Sequence, residues 1–156
     1  MSGVSYALWA FAAGALIPLV GILNAGMARA TGGPIQATVL LFVAGLAASL
    51  LLALVTMTRL PDMATLVRIP PGHYTGGLIV GFYVVSITFL APRFGVGNAI
   101  LFAVSAQLVT AAVIDHFALA GAVGRPVNTI RLIGLAVVVV GVILTQLSDR
   151  LGGAAR

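Results

Sequence analysis

Charge is so scarce in this chain that its position alone constrains the architecture. The 156 residues carry eight arginines, three aspartates and neither lysine nor glutamate. Residues 1–28, 30–58, 69–92, 94–114 and 132–148 contain no Arg or Asp. A helix rises about 1.5 Å per residue, so a hydrocarbon core of about 30 Å takes roughly 20 residues. The first four windows clear that length. The fifth is short, but it is almost wholly apolar from Leu132 to Leu147 and spans if Arg131 and Asp149 reach the headgroups. The windows predict an all-α integral membrane protein with five transmembrane helices. We place them at about 5–27, 35–58, 74–91, 96–119 and 130–148, in a single domain covering residues 1–156.

Composition agrees and removes other classes. Charged residues make up 7% and mean hydropathy is +1.19, whereas a soluble domain is about a quarter charged. The net charge of +5 comes from single arginines between apolar blocks. Phosphate-backbone binding needs clustered charge, so no nucleic-acid partner is expected. Single arginines at segment ends are suited to interfacial anchoring in a lipid bilayer. The chain has no cysteine, and its two histidines and three aspartates are widely separated. Neither a metal site nor a cofactor is expected. The N-terminal apolar run has no positive n-region and is longer than a signal h-region, so it is read as a retained helix.

Each helix carries its own punctuation. The first opens with Tyr6, Trp9 and Phe11, an interfacial aromatic cluster. It contains Pro18, which removes a backbone donor and is expected to kink it. Asn24 comes next, either as an interhelical hydrogen bond or as an amide lining a cavity beside the kink. Thr31-Gly32-Gly33-Pro34 reads as a turn. The second helix has a small-residue face from Ala44 to Ser49 and ends before Pro61-Asp62, with a short surface helix expected at 62–68. In the third, Gly77 and Gly81 form a small-x-x-x-small pair, and the helix is expected to stop at Pro92-Arg93. Arg93 reads as an interfacial anchor or as a group for an anionic substrate. Asn98 stands at the mouth of the fourth helix.

That fourth helix concentrates the polar chemistry. Ser105 to Phe117 reads S-A-Q-L-V-T-A-A-V-I-D-H-F and carries Gln107, Asp115 and His116 in an apolar segment. Polar groups in hydrocarbon are costly, and by default they mark a site or a buried partner. Counted from Val96, Gln107 lies about 16 Å along the helix, near the midplane, and Asp115 about 28 Å along. The two share one helical stripe. Gln107 is open to two readings, a transport contact or an interhelical hydrogen bond. Asp115 is likewise either a proton or gate site or the partner of Arg125 or Arg131. His116 points away from Asp115, towards a capping or interfacial role. Ser105 is about 15 Å from Asp115 along the helix. No nucleophile–base pair exists there, and an enzyme is not expected.

Five spans divide the arginines evenly. Arg59, Arg68, Arg125 and Arg131 fall on the N-terminal face, and Arg29, Arg93, Arg150 and Arg156 on the other. Orientation is set by the Lys/Arg excess on the cytoplasmic side, and here the excess is zero. This predicts dual topology, with antiparallel pairing of two copies. If Arg93 or Arg131 is held within the protein, a weak bias remains.

Ala91-Pro92-Arg93-Phe94-Gly95, Gln107, Asp115-His116-Phe117, Arg125-Pro126 and Arg131-Leu132-Ile133-Gly134 come in a distinctive order and spacing. With Pro18-Leu19 and Asn24-Ala25, they resemble the YdcZ-type family of the drug/metabolite transporter (DMT) superfamily. The likeness runs from about Leu8 to Gln146. The sequence departs from the family pattern at Ala106 and Ala118, where glycine is common. The resemblance implies one half of a ten-helix transporter in a bacterial cytoplasmic (inner) membrane. It implies an antiparallel homodimer, or a heterodimer with a paralogue, that moves a small molecule by alternating access. A non-transporting partner subunit is the alternative. Small multidrug exporters resemble this architecture in size and rely on an acid in the first helix. The first helix here has none.

Overall fold

The computed structural model describes residues 3–122 and 124–153. Arg156, counted above among the interfacial arginines, lies outside them. The described chain is helical: α1 (Gly3–Thr31), α2 (Pro34–Val55), a short α3 (Met63–Arg68), α4 (Thr75–Phe94), α5 (Val96–Phe117) and α6 (Thr129–Gly153). Two 3-10 turns, Pro71–Tyr74 and Leu119–Gly121, stand before α4 and after α5. Among the described residues, five helical segments are long and apolar enough to cross a membrane. Each of the five windows read from the charge pattern overlaps one of them; only Pro34–Val55 lies wholly inside its window, and the other four run past an edge to take in Arg29, Arg93, Asp115 and Arg131.

The chain divides into two compact units, Met1–Val96 and Gly97–Arg156. In the first, α1 packs on α2 and α4, and α2 packs on α4. The contact faces are made largely of small residues. Gly21, Asn24 and Ala25 of α1 are buried, as are Ala37 and Thr38 of α2 and Ile87, Thr88 and Ala91 of α4. In α1 the buried residues follow the spacing i, i+3, i+4, and in α4 Ala91 stands four and three residues after Ile87 and Thr88, which marks one face of each of these helices. Close approach explains the residue types: a Cβ added at Gly21 would stand 3.3 Å from Ile87 Cγ2. Gly81 meets Phe42 of α2 in the same way, at 3.7 Å. Gly77 has open space where a Cβ would stand, so the expected glycine pair contributes one contact residue. Most large apolar side chains on all five long helices face outward, as a lipid solvent allows.

Several boundaries differ from the sequence reading, each for a local reason. α1 extends to Thr31, where the Thr31 hydroxyl donates to Met27 O (2.9 Å) and Gly32 turns the chain at φ +94°. α2 stops at Val55 rather than Thr58. Thr58 N–H donates to Ala53 O (2.8 Å) and Met57 N–H to Leu54 O (3.2 Å). This is the Schellman closure, with Met57 in the left-handed position at φ +53°. α4 runs through Pro92 to Phe94, because a proline in the last turn leaves only the Thr88 carbonyl without its usual donor. Gly95, at φ +87°, ends it and donates to Ala91 O. α5 ends at Phe117, two residues early, because Ala118 adopts φ +50°, ψ +40°.

The loop between α2 and α4 is ordered by two side-chain bonds. Asp62 Oδ1 accepts the Thr65 N–H at 2.9 Å and starts α3 at the expected place. Hydrogen bonds from the Thr65 side chain and then its N–H hold the Asp62 carboxyl below its ordinary value of 3.8. The Tyr74 hydroxyl donates to Leu66 O and ties α3 to the start of α4.

Met57 and Ala118 hold left-handed backbone that strains a side chain by about 1 kcal/mol relative to glycine. Met57 is exposed, so little packing opposes its replacement. Met57→Gly and Ala118→Gly are each expected to stabilise the protein by about 1 kcal/mol. Thermal unfolding in detergent or nanodiscs measures this, and a lowered Tm for both would contradict the assigned backbone.

Candidate functional site

Polar side chains on spanning helices must be satisfied locally or be put to use. Many hydroxyls are satisfied within their own helix. Ser49, Ser86 and Ser105 donate to the carbonyls of Gly45, Phe82 and Leu101, four residues earlier, at 2.7–2.8 Å. Ser105 therefore has a simple backbone partner and no catalytic arrangement around it.

In the first unit, Asn24 is 1% exposed and its Nδ2 donates to Thr88 Oγ1 at 2.7 Å, joining α1 to α4. Thr88 in turn donates to Val84 O at 2.7 Å. The single hydroxyl proton is thus committed to α4, so the amide of Asn24 must be the donor in the first bond. This fixes the orientation of the carboxamide and leaves Asn24 Oδ1 buried without a partner among the described residues. Asn24 thus makes an interhelical hydrogen bond, one of the two readings that the sequence leaves open. Pro18, six residues before it, lies inside an uninterrupted helix.

Arg93, on the same unit, folds back along α4. Its Nη1 donates to Phe89 O at 2.8 Å, and its guanidinium carbon stands 3.7 Å from the centre of the Phe89 ring. It lines a cavity of about 370 Å³ together with Arg29, Gly33, Pro34 and Thr88. Neither Arg29 nor Thr88 stands out in sequence reasoning. Arg29 looks like one more terminal anchor, and Thr88 like one more hydroxyl.

In the second unit the polar residues gather at the two ends of α5. At its start, Asn98 Oδ1 accepts from Gln146 Nε2 of α6 at 2.8 Å. Gln146 is a partner that sequence reasoning missed, since it stands 48 positions away with no pattern linking the two. At the far end, Asp115 and His116 hold the α5–α6 connection. Asp115 Oδ2 receives Arg131 Nη2 at 2.6 Å, and its backbone carbonyl receives the Arg125 N–H at 2.8 Å. His116 Nδ1 accepts the Val127 N–H at 3.1 Å, which requires that nitrogen to be unprotonated. The His116 and Phe117 rings meet edge to face, 4.7 Å apart. Asn128 completes the clasp, its Oδ1 accepting the Arg131 N–H at 2.8 Å at the start of α6.

Asp115 is therefore engaged by charge and by backbone, and of its two expected partners Arg131 holds the carboxylate. Gln107, between these two ends, is exposed and makes no side-chain hydrogen bond among the described residues. An apolar cavity of about 260 Å³ lies beside the clasp, lined by Val113, His116, Phe117 and Leu132 among others. No cluster able to hold a metal ion occurs among the described residues.

Five apolar spans, with inward polar groups paired within each unit, define a multi-pass membrane protein. The comparison with protein families agrees. Residues 5–144 match the family described as "Putative inner membrane exporter, YdcZ". The chain belongs to that family, whose description places it in the inner membrane and points to transport. No curated protein and no solved structure matches the chain.

The ion pair is partly exposed, at 34% for Arg131 and 31% for Asp115, so its coupling is expected to be about 1 kcal/mol. Asp115→Asn and Arg131→Gln should each lower stability, and the double variant should lose less than the sum. Unfolding of all three variants measures the coupling. Strict additivity would mean that the pair contributes nothing.

Proposed function

We propose that this chain is a small-solute transporter that works as an antiparallel homodimer by alternating access. Its five spans would act as one domain, and Gln107 would contact the solute at the midplane. One observation carries the reading. Gln107 is an amide about halfway along a spanning helix, and it has no hydrogen-bond partner in its own chain among the described residues. An amide left unpaired in hydrocarbon is unfavourable. A second copy or a solute relieves that cost. In an antiparallel pair, a two-fold axis in the membrane plane brings both Gln107 side chains to the same depth.

Asp115 and His116 fit this reading as positioning residues. Asp115 Oδ2 and His116 Nδ1 are taken up by the α5–α6 connection, so the two residues shape the end of α5. Asn98 likewise positions α5 against α6. Gly45, Gly134 and Gly141 have open space beside them and could admit a close helix from a second copy.

Two measurements test the proposal. Gln107→Ala should leave expression and Tm nearly unchanged, since a membrane hydrogen bond contributes about 0.6 kcal/mol on average. It should lower solute-dependent currents in proteoliposomes at least tenfold. Equal currents would remove Gln107 from the transport path. Topology is tested with reporters fused after Arg156. Cytoplasmic and periplasmic reporters should both be active, and arginines added to the 60–70 loop should bias insertion to one orientation. A single orientation in cells lacking any paralogue would rule out the antiparallel homodimer.

A further inference from the structure

We propose that the cavity where α1 ends, α2 begins and α4 ends binds an oxyanion, the carboxylate or phosphate group of a small solute. The cavity holds about 370 Å³, within the range of about 300–1,000 Å³ typical of small-molecule sites. Two arginines, Arg29 and Arg93, both exposed, line it, and none of its lining residues is acidic. The unit contains a single acid, Asp62, and that carboxylate caps α3. Neither arginine has a salt bridge among the described residues. Two like charges facing one concavity repel, and as simple headgroup anchors they would gain by spreading apart. A bound anion turns that repulsion into attraction.

The site is also oriented. Arg93 is held by its bond to Phe89 O and by the Phe89 ring. A guanidinium has five N–H donors in a rigid fork, so one bond to a carbonyl leaves a bidentate edge for a carboxylate or phosphate. α2 begins at Pro34, after a Gly33 cap that offers no side-chain hydrogen bond. The N–H groups of Ile35 and Gln36 consequently have no acceptor inside the helix, and the positive end of the helix dipole faces the same region. Thr88 is among the lining residues, and its hydroxyl is fixed by Asn24 and the Val84 carbonyl. That the anion is the carried solute rests on the transport reading above. The binding chemistry itself does not.

The test is binding without transport. The purified protein is placed in phosphatidylcholine nanodiscs, and Tm is monitored while inorganic phosphate or acetate is added at constant ionic strength, with tetramethylammonium as a cationic control. Either anion should raise Tm saturably, and the cation should not. Arg29→Gln and Arg93→Gln should each weaken binding at least tenfold with anion-free Tm nearly unchanged. Arg93→Lys keeps the charge but lacks the planar fork and should bind at an intermediate level. Arg125→Gln, in the other unit, should behave as the parent. A parallel series in phosphatidylglycerol discs separates the two sources of the same chemistry. Stabilisation that appears only there, and that needs both arginines, would assign the cavity to a lipid phosphate and overturn the solute. No anion dependence in either disc would overturn the site. Binding here with no flux in proteoliposomes would instead overturn the transport reading and leave this one standing.

Discussion

Hydrocarbon offers no hydrogen-bond partner, and every polar group on the spanning helices answers to that constraint. Helical backbone satisfies itself. Hydroxyls turn back onto the preceding turn, as Ser49, Ser86 and Ser105 do. Amides and charges cannot do this so readily, and here they meet across helices. Asn24 meets Thr88, Asn98 meets Gln146, and Asp115 meets Arg131. Once these pairs are set aside, few polar side chains in the spans are left over. Gln107 at mid-helix, the buried Asn24 Oδ1 and the guanidiniums of Arg29 and Arg93 are among the described groups with unused capacity. They are where chemistry with something outside the chain can occur.

The clasp at the end of α5 shows how one constraint generates several features. Asp115 is drawn to Arg131 across the turn, which brings the start of α6 back onto α5. The connecting backbone then finds its acceptors on the same helix end, the Asp115 carbonyl for Arg125 and His116 Nδ1 for Val127. Folding the chain back so sharply forces Ala118 into left-handed backbone, a conformation that favours glycine. The side chain is retained at a strained position, and the surrounding hydrogen bonds hold the turn despite it.

Much of the fold is legible in the sequence, because spans are set by length and by the absence of charge, both readable without tertiary information. The ends are less legible. A Schellman closure at Met57 and a left-handed Ala118 carry no glycine to announce them, so the charge pattern makes α2 and α5 too long. Pro92 reads as a stop, but in a last turn it removes one bond and the helix continues. The site is harder still. The small-residue face around Asn24 can be seen in Gly21 and Ala25 at helical spacing, whereas Thr88 looks like any other hydroxyl. Gln146 and Arg29 gain meaning only when distant segments are brought together. The Asp115–Arg131 pair is one of two partnerships the sequence allows, and a choice between Arg125 and Arg131 needs the geometry of the turn.

The pairing of Arg131 also bears on orientation. An even split of arginines assumes that all of them are free to interact with the membrane surface and the insertion machinery. Arg131 is held by Asp115, so its side of the count is weakened relative to Arg29 and Arg93, which have no salt bridge among the described residues. The shift is small, because the pair is partly exposed and forms only once the turn has folded. The folded pair acts only after insertion, when it fixes the end of α5. In two copies of opposite orientation, the cavity lined by Arg29 and Arg93 would open towards opposite faces of the membrane. Gln107, about halfway along its span, would lie near the midplane in both copies.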